Sequence, residues 1–317
     1  MSSYLVTGVA GFIGSSVAAA LLARGHEVVG IDNLSTGSEA NIPQGLQFFQ
    51  ANCQDANLYR DLLPRLRYDA IFHIAGQSSG EISFDDPVYD LRTNTESTLH
   101  LLRFAEDCGC SRFIYASSMS VYGVQPDEAV TEDRCTVPES FYGVGKLASE
   151  HYLRLYAARG MRSTSLRLFN VYGPGQNMDN LRQGMVSIYM SMLVNDGHIH
   201  VKGNPNRYRD FVYIDDAVAA FLLCLERESA CGKILNIGGS GKVHVGDLID
   251  RLCALSGRPV TVEYSGMTPG DLHGIYADVN MAAKYLGYEA EVSLDEGLAR
   301  MYAWYIQSLA GRETGAS

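Results

Sequence analysis

The chain has 317 residues, 46% hydrophobic and 19% charged, with a formal net charge of -11. That balance supports a large core and excludes global disorder. The acid excess argues against nucleic acid as a partner, though local amides and a few arginines could still hold one small anion. At about 150 residues per domain, the length suggests two lobes, or one large α/β unit with an appended lobe. The seven cysteines are an odd number without a C-x-x-C pair, which fits reduced cytosolic thiols better than a disulfide framework. No cleavable leader is legible, and no apolar run approaches about 18 residues. A cytoplasmic, soluble protein with no membrane partner is expected.

In chain order, "YLVTGV" (4–9) predicts a strand and "GSSVAAALLARG" (14–25) a helix stopped by Gly25. "EVVGID" (27–32), "LQFFQA" (46–51), "AIFHIA" (70–75) and "RFIYASS" (112–118) predict further strands. "TNTESTLHLLRFAEDC" (93–108) and "YGVGKLASEHYLRLYAARG" (142–160) predict helices, and "RSTSLRLFN" (162–170) another strand. This alternation predicts a doubly wound parallel sheet of the Rossmann type.

After Asn170 the rhythm changes. "VYGPGQNMDNLRQG" (171–184) is loop-rich, "DFVYI" (210–214) and "KILNIGG" (233–239) predict strands, and "SLDEGLARMYAWYIQSLA" (293–310) a last helix. Residues 1–170, with help from about 210–240, are expected to bind a dinucleotide. Residues 171–310 should form a smaller, interleaved substrate-binding lobe, and 311–317 a disordered tail.

Gly8, Gly11 and Gly14 follow the first strand as G-x-x-G-x-x-G and open the first helix. Glycines let the backbone approach a pyrophosphate, and a helix N-terminus offers unpaired amides. Asp32 ends the second strand, 18 residues after Gly14, where a carboxylate can hold an adenosine ribose. An aspartate there repels a 2′-phosphate. No Arg or Lys appears until Arg60, so NAD is favoured over NADP.

Tyr142 and Lys146 stand at i and i+4 on one helix face. A phenol titrates near about 10 and is a poor base at neutral pH. A nearby ammonium and a positive nicotinamide ring would favour the phenolate.

G-x-x-G-x-x-G, Asp32, "FHIAG" (72–76), Asn94, "SSMSVYG" (117–123), Tyr142-x-x-x-Lys146, "RLFNVYGPG" (167–175) and "RDFVYIDD" (209–216) occur in this order. The set resembles the extended short-chain dehydrogenase/reductase family, specifically its nucleotide-sugar epimerases and dehydratases, over about residues 4–306. The resemblance implies permanently held NAD, a sugar nucleotide (a UDP-sugar by analogy) in the cleft, and catalysis by Ser118, Tyr142 and Lys146. It places Phe12, Ile13, Asn33, Ala75, Gly76 and Asn94 with the cofactor. It places Gln77, Ser78, Glu81, Met119, Ser120, Asn170, Arg209 and Asp271 with the substrate. It also implies a homodimer through helices 93–108 and 142–160. Tyr152, Leu155, Tyr156, Leu99 and Leu102 on those helices read equally as interface or as core.

Family dehydratases carry a Thr-Asp-Glu run where this chain has Ser118, Met119 and Ser120. Methionine donates no proton, and serine is far too weak an acid to replace a carboxyl. A 4-epimerase acting on a UDP-hexose or a derivative is therefore implied. Two rivals stay open: a dehydratase or keto-reductase using Glu81, and a non-catalytic NAD sensor.

The chain departs from the family where a diphosphate-gripping arginine is replaced by Thr268; Lys202, Arg207 or His273 could compensate. The pocket-gating position is read as Ile275. Glu81 is either a solvated loop glutamate or a sugar-contacting residue. His198 and His200, alternating on a strand with no third ligand, read as surface residues rather than a metal pair. His73 reads as a hydrogen-bonded core residue rather than a base.

Overall fold

A computed structural model describes residues 1–266 and 273–314. The first half holds β1 (Ser3–Thr7), α1 (Phe12–Ala23), β2 (Glu27–Asp32), β3 (Gln47–Gln50), β4 (Ala70–His73), α2 (Pro87–Leu91), α3 (Ser97–Asp107), β5 (Arg112–Ser118), α4 (Phe141–Ala157) and β6 (Arg162–Leu168). The second holds β7 (Asn170–Tyr172), α5 (Met185–Asp196), β8 (His198–Lys202), β9 (Tyr208–Arg209), β10 (Phe211–Tyr213), α6 (Ile214–Glu226), β11 (Lys233–Ile237), β12 (Val243–His244), α7 (Val245–Ser256), β13 (Thr261–Ser265), α8 (Asn280–Leu286) and α9 (Leu294–Thr314).

Seven strands form one sheet in the order β11-β6-β5-β4-β1-β2-β3. Every pairing in it is parallel. Both faces are covered, which is why β4 and β5 are buried along their whole length. Strand order reverses between β1 and β4, so a crevice opens at their carboxyl ends. Thr7 spans that crevice: its buried Oγ1 accepts the amides of Ile74 and Ala75, each at 3.1 Å.

The expected doubly wound sheet is present, with three local differences. The helix expected over 93–108 starts earlier, as α2 leading into a wide π turn over Arg92–Glu96 before α3. The wide turn carries Asn94, which is fully buried. The strand expected over 162–170 splits in two. Phe169 still donates its amide to Ile237 in the main sheet at 3.0 Å, but Asn170 donates to the Asp210 carbonyl at 3.1 Å, and β7 pairs with β10. The last helix runs through Thr314, into the stretch expected to be disordered.

Small sheets β10-β7, β12-β9 and β13-β8 build the lobe above the crevice. The chain then returns: α6 packs on α1, and β11 closes the sheet edge beside β6. This return interleaves the lobe with the main sheet.

A buried ion pair lies under the crevice. Arg167 of β6 donates to both Glu150 oxygens of α4, at 2.7 and 2.9 Å, with side chains only 3% and 1% exposed. Ser117 also donates to Glu150 Oε1 at 2.6 Å. The pair thus fixes the end of β5 against α4. Removing one partner of a buried pair strands the other charge and typically costs about 3–5 kcal/mol. Glu150→Ala should lower the chemical-denaturation midpoint by a corresponding amount. A change within about 0.5 kcal/mol, the range of neutral surface changes, would show that the network carries no stability.

Candidate active site

The dinucleotide end is built by close backbone approaches. Gly8 has φ 77°, and a Cβ on it would lie 2.9 Å from the Ala75 nitrogen. A Cβ on Gly14 would strike the Gly8 carbonyl. The N-terminus of α1 has no capping side chain and no acidic residue in its first turn, so its amides stay available to an anion. Asp32 is held rigidly: one oxygen accepts the Ala10 amide at 3.0 Å and the other the Leu34 amide at 2.8 Å. Asn33 pairs with Asn52 at 2.8 Å.

Gly8, Gly11, Phe12, Ile13, Gly14, Asp32, Asn33, Ala75 and Gly76 line one cavity of about 420 Å³. Asn94 lies directly behind Gly76, and a Cβ on that glycine would collide with Asn94 Oδ1. That oxygen is buried with no hydrogen-bond partner among the described residues. The nitrogen of the same amide donates to the Gln77 carbonyl at 3.0 Å and to both Asp90 oxygens, at 3.1 and 3.2 Å. The glycine cradle, the oriented Asp32 and the unsatisfied Asn94 oxygen fit NAD.

Ser118, Tyr142 and Lys146 come together where β5 meets α4. Ser140 caps α4 by accepting the Gly143 amide at 3.1 Å, which places Tyr142 in the first turn. Ser118 is the neighbour that favours the Tyr142 phenolate. Ser118 Oγ also accepts the Ser120 amide at 3.1 Å. Lys146 Nζ donates to the Ala116 carbonyl at 2.9 Å and stands 5.7 Å from the Tyr142 ring centre.

The lowered phenol expected from the sequence is not a property of the polypeptide. Burial pushes Tyr142 up to about 12, opposed by the Ser118 hydrogen bond and reinforced by Asp90. Burial likewise pulls Lys146 down to about 8, against the pull of Asp90 and Glu150. Desolvation outweighs the neighbouring charges in both groups. The sequence shows the partners and not their depth. His73 is the core residue expected: it bonds Thr7 at 2.9 Å and Thr98 at 3.1 Å, and burial lowers it to about 3.

A second cavity, of about 310 Å³, adjoins the first and shares Ser78 and Gln183 with it. Ser78, Glu81, Met119, Ser120, Asn170 and Arg209 line it. Gln77 was expected on this side but lines the cofactor cavity instead. Asn170 is pinned, donating to the Asp210 carbonyl at 2.8 Å and to Met119 sulfur at 3.7 Å. Arg209 is buried; burial, then repulsion from Arg207, lowers it to about 10. Lys202 and Arg207 line the same end of the cavity, whereas His273 does not. His200 also lines it, while His198 lies 3.8 Å from Glu263. Ile275 is 1% exposed and packed in the core, so the gating role read for it does not hold. Thr268 and Asp271 lie outside the described residues.

Several participants were missed. Asp90 could have been found, since it precedes Asn94 by one helical turn; burial lifts its carboxyl to about 6. Arg182 and Gln183 gave no signal, because they sit in an aperiodic loop. Arg182 reaches Asp85 at 2.8 Å and Glu81 at 3.6 Å, and Gln183 donates to Ser78 at 2.6 Å.

Comparison with known proteins agrees with this geometry. Residues 4–238 match the model of the NAD dependent epimerase/dehydratase family, and the chain belongs to that family. It is 33% identical over 308 residues to a UDP-glucose 4-epimerase of Mycolicibacterium smegmatis, covering 95% of this chain and 97% of that one. Its fold is similar to that of UDP-glucose 4-epimerase from Thermotoga maritima with UDP-glucose, with a TM-score of 0.93, 33% identity and coverage of 97% and 99%. It is also similar to UDP-glucuronic acid 4-epimerase from Bacillus cereus in complex with UDP-glucuronic acid and NAD, with a TM-score of 0.87, 31% identity and coverage of 96% and 99%.

The fixed Asp32 carboxylate predicts the cofactor preference. Calorimetric titration should show NAD binding at least about tenfold tighter than NADP, or ~1.4 kcal/mol. Equal affinities would mean that Asp32 does not meet the ribose.

Proposed function

We propose that the protein is an NAD-dependent UDP-sugar 4-epimerase. One observation carries this reading: Met119 and Ser120, which follow Ser118, line the substrate cavity, and the 118–120 loop facing the substrate holds no carboxylic acid. Residues 1–170, with 210–240, serve the cofactor, and the lobe within 171–310 serves the sugar nucleotide.

Bound NAD supplies a reversible hydride acceptor. Tyr142 takes the proton of the sugar 4-hydroxyl and later returns it, while Ser118 holds that oxygen by hydrogen bonding. The proton acceptor must be the phenolate, and at about 12 the polypeptide alone disfavours it. A bound positive charge beside the buried ring would lower it. Lys146, oriented by Ala116, is the ammonium nearest that ring. Arg209 and Asn170 anchor the diphosphate end, so the 4-keto ring can turn over without leaving. The product differs from the substrate only at carbon 4.

Glu81 does not favour a dehydratase. Its carboxyl is engaged by Arg182 at 3.6 Å rather than standing free as an acid. The intact Ser118, Tyr142 and Lys146 set argues against a non-catalytic NAD sensor.

We also propose a homodimer through α3 and α4. Val144 and Leu155 lie on one face of α4 and are 54% and 58% exposed, whereas Leu102 of α3 is fully buried. A cytoplasmic home fits the seven free thiols. Among the described residues no helix is long and apolar enough to cross a membrane.

Tyr142→Phe should keep the fold and cut turnover by about 10²–10⁴. In wild type, the product of UDP-glucose should keep the substrate mass, with no solvent deuterium at carbon 5. Loss of water would replace this reading with a dehydratase. For the assembly, Val144→Glu with Leu155→Glu should convert a dimer into a monomer in sedimentation velocity. An unchanged sedimentation coefficient would move the interface elsewhere.

A further inference from the structure

The relatives include epimerases of a neutral sugar and of a sugar acid, so similarity does not choose between them. The charge distribution in the substrate cavity does. His200, Lys202, Arg207 and Arg209, from β8 and β9, gather at one end. Among the described lining residues the only carboxylates are Glu81 and Glu139.

Both carboxylates flank the start of α4, at the catalytic end. Glu139 immediately precedes the capping Ser140, and a Cβ on Gly80, next to Glu81, would lie 3.5 Å from the Ser140 hydroxyl. A Cβ on Gly143 would strike the Ser120 carbonyl, so the serine loop packs on the same turn. The cavity therefore runs from a basic end suited to a diphosphate to an acidic end at the start of α4, the turn that carries Tyr142.

Carbon 6 of a hexose lies two bonds from carbon 4. When carbon 4 sits at Tyr142, the group on carbon 6 lies at the acidic end in one of the two ring orientations, since turning the ring over exchanges its carbon 5 and carbon 3 edges. Arg182 is the one basic side chain lining that end among the described residues, and it is already shared between Asp85 at 2.8 Å and Glu81 at 3.6 Å.

Resting on the epimerase reading, we propose that Glu81 is a specificity-determining residue. Supported by Glu139 and by the clamp on Arg182, it makes the site select uncharged hexoses and reject hexuronates. A 6-carboxylate would meet Glu81 as a like charge, whereas a 6-hydroxyl can donate a hydrogen bond to it.

The test separates binding from turnover. Calorimetry on the NAD-loaded Tyr142→Phe protein compares UDP-glucose with UDP-glucuronic acid. UDP-glucose should bind at least about tenfold tighter, as expected for one partly screened like-charge contact. The gap should narrow with added salt. Glu81→Gln should narrow it at least about fivefold by removing that charge. Arg182→Ala should widen it, because a positive charge is lost. Equal or tighter binding of UDP-glucuronic acid overturns the proposal. So does a selective loss of its binding in Arg182→Ala, which would show that Arg182 leaves its clamp to hold the sugar carboxylate. Turnover of both substrates by the wild-type protein is read separately. If neither is epimerised while the binding ratio holds, the epimerase reading fails and the charge selectivity stands.

Discussion

The buried carboxylate of Asp210 joins the two lobes, and the site depends on that junction. One oxygen accepts the amides of Gly239 and Gly241 just beyond β11, at 2.9 and 3.1 Å. The other accepts the Ala277 amide at 3.1 Å, from the segment leading into α8. The carbonyl of the same residue accepts both the backbone and the side-chain nitrogen of Asn170. Main sheet, lobe and substrate cavity thus meet at one residue, beside Arg209. Burial lifts the carboxyl to about 6 although several amides oppose the shift. Its ionised form is therefore sustained by those amides, and the geometry of the cleft and its charge state are linked.

The catalytic end follows the same logic with more charges. Lys146, Glu150, Arg167 and Asp90 are all buried around β5 and α4. Such groups are costly to desolvate and persist where their partners are fixed. Here the partners also hold Ser117, Ser118 and Tyr142 in register. The scaffold thus holds the phenol in a dry setting. Charge added beside it acts strongly there, because little water screens it.

The two cavities divide the labour. The crevice at the strand-order reversal receives the dinucleotide through backbone and glycine geometry, which tolerates little substitution at Gly8 and Gly14. The substrate cavity is built from loops and short strands, and its character comes from side-chain charge, basic at one end and acidic at the other. Relatives with one fold can thus act on sugars of different charge, because binding residues carried on loops change without disturbing the sheet.

The legible part of this protein is local. Continuous apolar strands, the glycine spacing, Asp32, and Tyr142 one helical turn before Lys146 are short-range patterns, and backbone periodicity converts them directly into position. The Ser118-Met119-Ser120 run belongs with them, since what those side chains cannot do is a matter of their chemistry. Other features depend on residues far apart in sequence. Arg182 meets Glu81 across the cleft, Asp210 collects amides from Gly239 to Ala277, and Ile275 turns into the core rather than the pocket. Burial was the least legible of all. In the polypeptide alone it raises Tyr142, because desolvation is set by everything packed around a group, and no spacing along the chain records that.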